Sequence, residues 1–408
     1  MKLVVQKYGG SSVADAGKIV NVARRVVRAR EVGDQVVTVV SAMGKTTDGL
    51  IELTRQITDT PDSREMDILL STGELVASTL LTMALKKLGQ EAISLSGAQA
   101  GILTDKAHRR ARILHIDPKR VQAELDKGKT VIIAGFQGIT DAEDITTLGR
   151  GGSDTTAVAL AAALKADSCE IYSDVEGVYT ADPRLVHEAR QLPEVGYEEM
   201  LEMAWYGAKV MHSRAVELGW LHDVPILVAC SFSDAPGTII HGGVSMEAKT
   251  KVRGVAHDIN VAKITVVGIP DQPGIAASLF EPLVDSGVSV DTIVQNASIQ
   301  GTITDLTFTV ARSELEEAMR IVEPVARQMG ARECVKDATL GKVSIIGAGM
   351  QNTPGYAATM FRTLAREGIN IELISTSEIR ITCIVAESSV KDAVIALHRA
   401  FELEKGEL

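Results

Sequence analysis

Three glycine-bearing runs have the residue types to hold anions. Lys7-Tyr8-Gly9-Gly10-Ser11-Ser12 follows the apolar run Leu3–Gln6. Glycines let backbone N–H groups approach an anion, a following helix turns its positive end to a phosphate, and Lys7 adds a point charge. The spacing fits neither Gly-x4-Gly-Lys-[Ser/Thr] nor Gly-x-Gly-x-x-Gly, and a Gly-Gly pair after a strand is most often only a turn. Gly149-Arg150-Gly151-Gly152-Ser153-Asp154-Thr155-Thr156 leads into an Ala-rich stretch and forms a second cradle. There Arg150 has the planar fork that clamps a carboxylate, while Asp154 serves equally well as a helix cap or first-turn acid. The third run, Ser173 to Arg184, contains a Gly turn and Asp182-Pro183; it could wrap a nucleotide or be an ordinary surface loop.

Smaller signals accompany these. Ser41-Ala42-Met43-Gly44 ends an apolar run, where open parallel sheets bind ligands. Ser71-Thr72-Gly73-Glu74 reads as a helix start, with Glu74 closing a capping box or facing a ligand. Lys209, in Gly207-Ala208-Lys209-Val210, reads as a solvated lysine or a further phosphate ligand. None of the eight histidines clusters with Cys, Asp or Glu at metal spacing, and His212 reads as structural. The four cysteines, Cys169, Cys230, Cys334 and Cys383, are too scattered for a disulfide framework or a zinc site.

These residues need a scaffold, and 408 residues suggest two or three domains. With 45% hydrophobic, 23% charged and 3% aromatic residues, the composition is globular, with cores built from Val, Ile, Leu and Ala. A net charge of −11 argues against nucleic-acid binding as the main work. There is no run of 18 apolar residues, so no membrane span is expected. The N-terminus lacks a signal-peptide pattern, and the expected compartment is a reducing cytoplasm.

Residues 1–240 alternate short strand-like runs (Leu3–Gln6, Gln35–Val40, Thr130–Ala134, Glu170–Ser173, Pro225–Ala229) with helical stretches (Gly17–Arg30, Leu70–Leu88, Thr155–Leu164). That alternation implies βαβ units and a mostly parallel sheet covered on both faces. Residues 241–254 read as a linker. Beyond it a unit repeats after about 80 residues: Lys263 to Gly268 recurs as Lys342 to Gly347, and Pro273-Gly274-Ile275-Ala276-Ala277 as Pro354-Gly355-Tyr356-Ala357-Ala358. Each copy reads as βαββαβ, over 255–335 and 336–408.

Taken together and in order, Lys7 to Ala14, Val40 to Gly44, Ser71 to Glu74, Ala134 to Gly138, Thr147 to Ala157, Asp174 to Arg184 and Gly207 to Val210 resemble the aspartate kinases of the amino-acid kinase family. The repeated unit resembles their tandem ACT domains, with Asn370 to Glu378 typical of the second. The resemblance implies an αβα sandwich of the carbamate kinase kind, followed by two α+β ACT domains. It matches the monofunctional form, since no dehydrogenase-like extension follows.

What the resemblance implies is a MgATP-dependent phosphorylation of L-aspartate to 4-phospho-L-aspartate, the step that leads to lysine, threonine, methionine and diaminopimelate. Lys7 and Asp154 would be catalytic. Lys7, Tyr8, Gly9, Gly10, Ser173, Asp174, Tyr179, Asp182, Pro183, Arg184, Lys209 and Val210 would bind ATP, which brings Mg²⁺ with it. Glu74 would take the aspartate ammonium and Arg150 its α-carboxylate, with Ser41, Thr47, Gly151, Gly152 and Ser153 completing the site. Lys45 departs from the acid common in relatives beside Thr47. An effector site for lysine, threonine or both would gather Asp271, Gly274, Ile275, Ala276, Asp291 and Gln295. From the second copy it would draw Tyr356, Ala357, Asn370, Ile371, Ser377 and Glu378. The expected assembly is a homodimer or higher oligomer through the ACT domains, or a heterotetramer with a small subunit begun at Met246. The alternatives are an amino-acid-binding regulatory protein with an inactive kinase domain, and another amino-acid kinase.

Overall fold

Valine- and isoleucine-rich runs without a polar face must be covered on both sides, and here they form the middle of a parallel sheet. The computed structural model describes residues 1–208, 210–243, 252–295, 303–350 and 353–405. Leu3–Tyr8 (β1) and Gln35–Val40 (β2) pair in parallel along their whole length. Between them runs Ala16–Glu31 (α1), whose cap Asp15 accepts from the Lys18 N–H at 2.9 Å. The chain continues through Thr46–Arg55 (α2), Ser63–Lys87 (α3), Ala92–Leu95 (β3), Ile102–Thr104 (β4), Ile113–Ile116 (β5), Lys119–Leu125 (α4) and Thr130–Ala134 (β6). Next come Gln137–Ile139 (β7), Ile145–Thr147 (β8), Gly152–Leu164 (α5) and Ser168–Ser173 (β9). Glu194–Gly196 (β10), Tyr197–Trp205 (α6), Ser213–Leu221 (α7), Ile226–Cys230 (β11) and Thr238–His241 (β12) follow.

The main sheet has the order β10-β12-β11-β9-β1-β2-β6-β3 and is parallel except where β12 runs against β11. A small second sheet, β5-β4-β7-β8, sits between β3 and α5 in the sequence. The buried stripe of α1 (Ile19, Val22, Val26) and that of α3 (Ala77, Leu81, Leu85) share one core with Tyr8, Val36 and Val40. Helix α5 packs on β1, β2 and β9 and covers the other face. Among the described residues α3 alone is long and apolar enough to cross a membrane, but half of its apolar stretch is buried inside the fold.

The chain forms two compact units, Met1–Tyr179 with Gln191–Met246, and Thr180–Arg190 with Glu247–Leu408. The second holds Gly254–Pro270 (β13), Ile275–Ser286 (α8), Val290–Gln295 (β14), Ile303–Val310 (β15), Leu315–Gln328 (α9), Glu333–Ile346 (β16), Tyr356–Arg366 (α10), Leu373–Thr376 (β17), Arg380–Ala386 (β18) and Val390–Ala400 (α11). Its six strands form one sheet, β14-β15-β13-β16-β18-β17.

The two long strands serve both copies of the repeat. Ile264 to Val267 face Lys336 to Glu333, whereas Gly254 to Asp258 face Ile346 to Lys342. Val255 accordingly packs in the core of the second copy, with Val343, Cys383 and Leu397. The second copy, expected as βαββαβ, has no strand after α11 among the described residues, and the start of β13 supplies its fourth strand, so the copies do not part at a single point near residue 335. Residues 180–190 join the same core through Ala181 and Val186. Of the expected linker, 244–251 lie outside the described residues, Met246 among them, while Arg253 already donates to Ile346 O at 2.7 Å.

Candidate active site

Strand β1 ends by carrying Lys7 to the carboxyl edge of the sheet, where it is only 8% exposed. Its Nζ lies 2.6 Å from Oδ1 of Asp154, in the first turn of α5. Two parts of the first glycine run differ from expectation. The Tyr8 ring is core, stacked on Tyr172 with centroids 5.0 Å apart. The Gly9 N–H donates to Tyr172 O at 3.0 Å. Alternation along a strand puts Tyr8 opposite to Lys7, so the Tyr8 ring and the Gly9 N–H are already engaged inside the fold while Lys7 faces Asp154.

Glu74 is not in a capping box. Helix α3 starts eleven residues earlier, at Ser63, where Asp62 accepts from the Arg64 and Glu65 N–H groups. Glu74 instead lies mid-helix, 3% exposed, with Oε1 accepting from the Ala42 N–H at 3.0 Å. Its Oε2 is buried without a partner. Burial pushes its carboxyl up to about 7, against the opposing pull of the Ala42 hydrogen bond. Gly73 lets α3 come this close: a Cβ there would sit 2.8 Å from the Ala42 Cβ. The Ser41 N–H donates to Tyr8 O at 3.1 Å, so the β2 loop is tied to the β1 loop. Thr47 stands half-buried in the first turn of α2, behind an exposed Lys45.

The second glycine run wraps the start of α5. Gly151 has φ 69°, and a Cβ on it would fall 2.2 Å from the His212 side chain. Only glycine fits there, and burial holds the His212 ring below the usual histidine range. Arg150 is exposed beside it, and Ser153 is buried. Sequence reading missed what holds this loop. Arg214 donates to Leu148 O at 2.7 Å and Ala111 O at 3.1 Å. Asp67 accepts from Thr147 Oγ1 at 2.5 Å, from the Arg109 N–H at 3.0 Å and from His108 Nδ1 at 2.9 Å. These partners lie 41 to 80 residues from Asp67, so no local pattern could have announced them.

Of the remaining expected nucleotide residues, Ser173 ends β9, Asp174 is exposed, Val210 is half-buried, and the Tyr179 hydroxyl donates to Glu176 Oε2 at 3.1 Å. Lys209 lies outside the described residues. Asp182, Pro183 and Arg184 belong to the second unit. There the Arg184 guanidinium grips Asp182 at 2.7 to 3.2 Å and lowers its carboxyl pKa.

The expected effector residues all lie in the second unit. Gly274 and Gly355, at φ 94° and 114°, open α8 and α10 in matching fashion. Asp271 and Ala276 are exposed, Ile275 is half-buried, and Gln295 ends β14; Asn296 lies outside the described residues. Tyr356 stacks on Phe401, Ala357 follows it in α10, and Asn370 donates to Glu372 Oε1 at 3.1 Å, next to Ile371. The Ser377 N–H donates to Arg380 O, with Glu378 exposed beyond it. Two acids of this unit, Asp291 and Glu372, are paired across the repeat. Lys263 of the first copy holds Glu372 of the second at 3.2 Å, and Lys342 of the second holds Asp291 of the first.

A parallel-sheet unit with a lysine–aspartate pair at its carboxyl edge is thus followed by a unit built from two copies of one α+β motif. The amino acid kinase family model matches residues 2–230, and the ACT domain model matches 264–324 and 343–401. An aspartokinase of Mycolicibacterium smegmatis is 51% identical over 408 residues, covering 99% of this chain and 97% of the relative. An aspartate kinase of Pseudomonas putida is 50% identical over 406 residues, covering 99% and 98%. The solved aspartate kinase of Synechocystis is 44% identical with a TM-score of 0.55, covering 98% of this chain and 69% of that one. E. coli aspartokinase III, solved with aspartate and ADP, is 24% identical with a TM-score of 0.80, covering 98% and 99%, and shows the fold. The chain belongs to the aspartate kinase family.

Proposed function

We propose that this kinase transfers the γ-phosphoryl group of MgATP to the β-carboxylate of L-aspartate, giving 4-phospho-L-aspartate and ADP. An aspartate side chain ionises near pH 3.9, so the attacking oxygen is already charged at neutral pH and needs no general base. The demand is instead to align two anions and neutralise the phosphoryl group in flight. Lys7, oriented by Asp154, meets that demand from the protein side, and Mg²⁺ arrives with the nucleotide. Glu74 Oε2 takes the substrate ammonium, Arg150 takes the α-carboxylate, and Ser41, Thr47, Gly151, Gly152 and Ser153 frame the rest. Ser173, Asp174, Tyr179, Lys209 and Val210 serve the nucleotide from the first unit.

The observation that carries this reading is the buried, unpartnered Oε2 of Glu74 on a helix facing the β1–β2 edge, since an unpaired buried carboxylate oxygen is costly unless a ligand donor completes it. Feedback by lysine, threonine or both, and assembly through the ACT sheet, complete the proposal. Both outer strands of that sheet, β14 and β17, expose an isoleucine, Ile293 and Ile374, as edges that pair with another copy do. ADP release measured with L-aspartate, L-glutamate and N-acetyl-L-glutamate tests the substrate: turnover with aspartate alone is expected, and preference for either glutamate compound refutes it.

A further inference from the structure

Asp67 is fully buried on α3 yet belongs to no part of the reaction described so far. A carboxylate accepts hydrogen bonds and donates none, so each of its contacts must come from a donor. Three donors converge: the Thr147 hydroxyl, the Arg109 N–H and His108 Nδ1, which must carry the proton. All three lead to one place. Thr147 is the last residue of β8 before Leu148-Gly149-Arg150. Arg109 presents its carbonyl to Gly149, where a Cβ would sit 3.0 Å from it. Ala111, two residues on, donates to Thr147 O at 2.9 Å, and Arg214 staples Ala111 O to Leu148 O. The Arg150 loop thus rests on a second loop, 105–112, and Asp67 pins both.

The position on α3 matters. Asp67 and Glu74 are seven residues apart, two helical turns, and so lie on one face. One rigid helix therefore bears the acid that meets the substrate ammonium and the acid that fixes the loop meeting its α-carboxylate. A buried carboxylate could be replaced by an apolar side chain if packing were its only task. We propose that Asp67 is a positioning residue, setting the Gly149–Ser153 loop and hence Arg150 at the distance from Glu74 that an α-amino acid requires; this rests on the assignment of Glu74 and Arg150 above.

The test uses the full-length enzyme and two conservative changes at Thr147 alongside Asp67→Asn. Thr147→Val keeps the shape and deletes the hydroxyl donor; Thr147→Ser keeps the donor. The expected result is an aspartate KM raised about tenfold in Thr147→Val, the size of one lost hydrogen bond to a charged group. ATP KM should stay within twofold, Thr147→Ser should restore the parent value, and Asp67→Asn should shift in the same direction. A lowered melting temperature with both KM values unchanged, or equal changes in both, overturns the proposal. Arg150→Lys is assayed in parallel: if it leaves aspartate KM unaltered, the carboxylate-clamp reading has failed, not the buttress.

Discussion

At the scale of single residues, the account turns on two charges that the fold keeps almost dry. Lys7→Ala removes the buried cation paired with Asp154 and, if the proposed phosphate role holds, should lower kcat by ~10²–10³-fold, with the melting profile still showing a folded chain. An unchanged kcat would remove the phosphate role from the β1 loop. Glu74 carries a pH signature. Because its carboxyl sits at about 7 in the fold, kcat/KM for aspartate should climb roughly tenfold per pH unit below that value and flatten above it. The sign for stability is opposite. A carboxyl raised from 4.5 to about 7 helps the fold fully below 4.5, and that help is lost as pH rises through 7. The stability of Glu74→Gln relative to the parent should therefore grow by about 3 kcal/mol between pH 4.5 and 8, as followed by denaturant titration. Lys7 and Asp154 stood out as candidates because glycine runs at strand ends are local patterns, and the structure pairs them; their roles came only from the resemblance. Tyr8 misled because the strand's own alternation, not the motif, decides which way its ring points.

At the scale of elements, long periodic segments were readable and short ones were not. Helix α1 was expected over 17–30 and spans Ala16–Glu31, while the strand expected at 35–40 is β2 residue for residue. Helix α3 begins at Ser63, earlier than its apolar stretch suggested, because its polar start, Ser63 to Glu65, is held by the Asp62 cap. The small sheet escaped notice since its strands run three or four residues, too short to show a period. The α5 entrance gives the sharpest test at this scale. Gly151→Ala places a methyl group onto His212 at a left-handed φ, so the loop must move. Aspartate KM should rise at least tenfold while stability falls by roughly 1–3 kcal/mol. A fully parent-like enzyme would show that the Arg150 loop does not need its present path.

At the scale of the whole molecule, the repeat was legible in the sequence but its interlocking was not, because the strand that completes the second copy, the start of β13, lies before both repeated motifs in the chain. The pairs Lys263–Glu372 and Lys342–Asp291 tie one copy to the other across the shared sheet. Effector binding should shift the active arrangement by ~1–3 kcal/mol, and Asp271→Ala, Gln295→Ala or Ser377→Ala should relieve inhibition by threonine plus lysine while leaving the uninhibited kcat alone. Rates unaffected by either amino acid in the parent enzyme would dismiss the feedback reading and leave the kinase intact. The central claim, phosphorylation of a carboxylate, is tested most directly by trapping the acyl phosphate. With MgATP, L-aspartate and hydroxylamine, the account predicts β-aspartyl hydroxamate formed in step with ADP; ADP release without hydroxamate, or no reaction with aspartate at all, would contradict it.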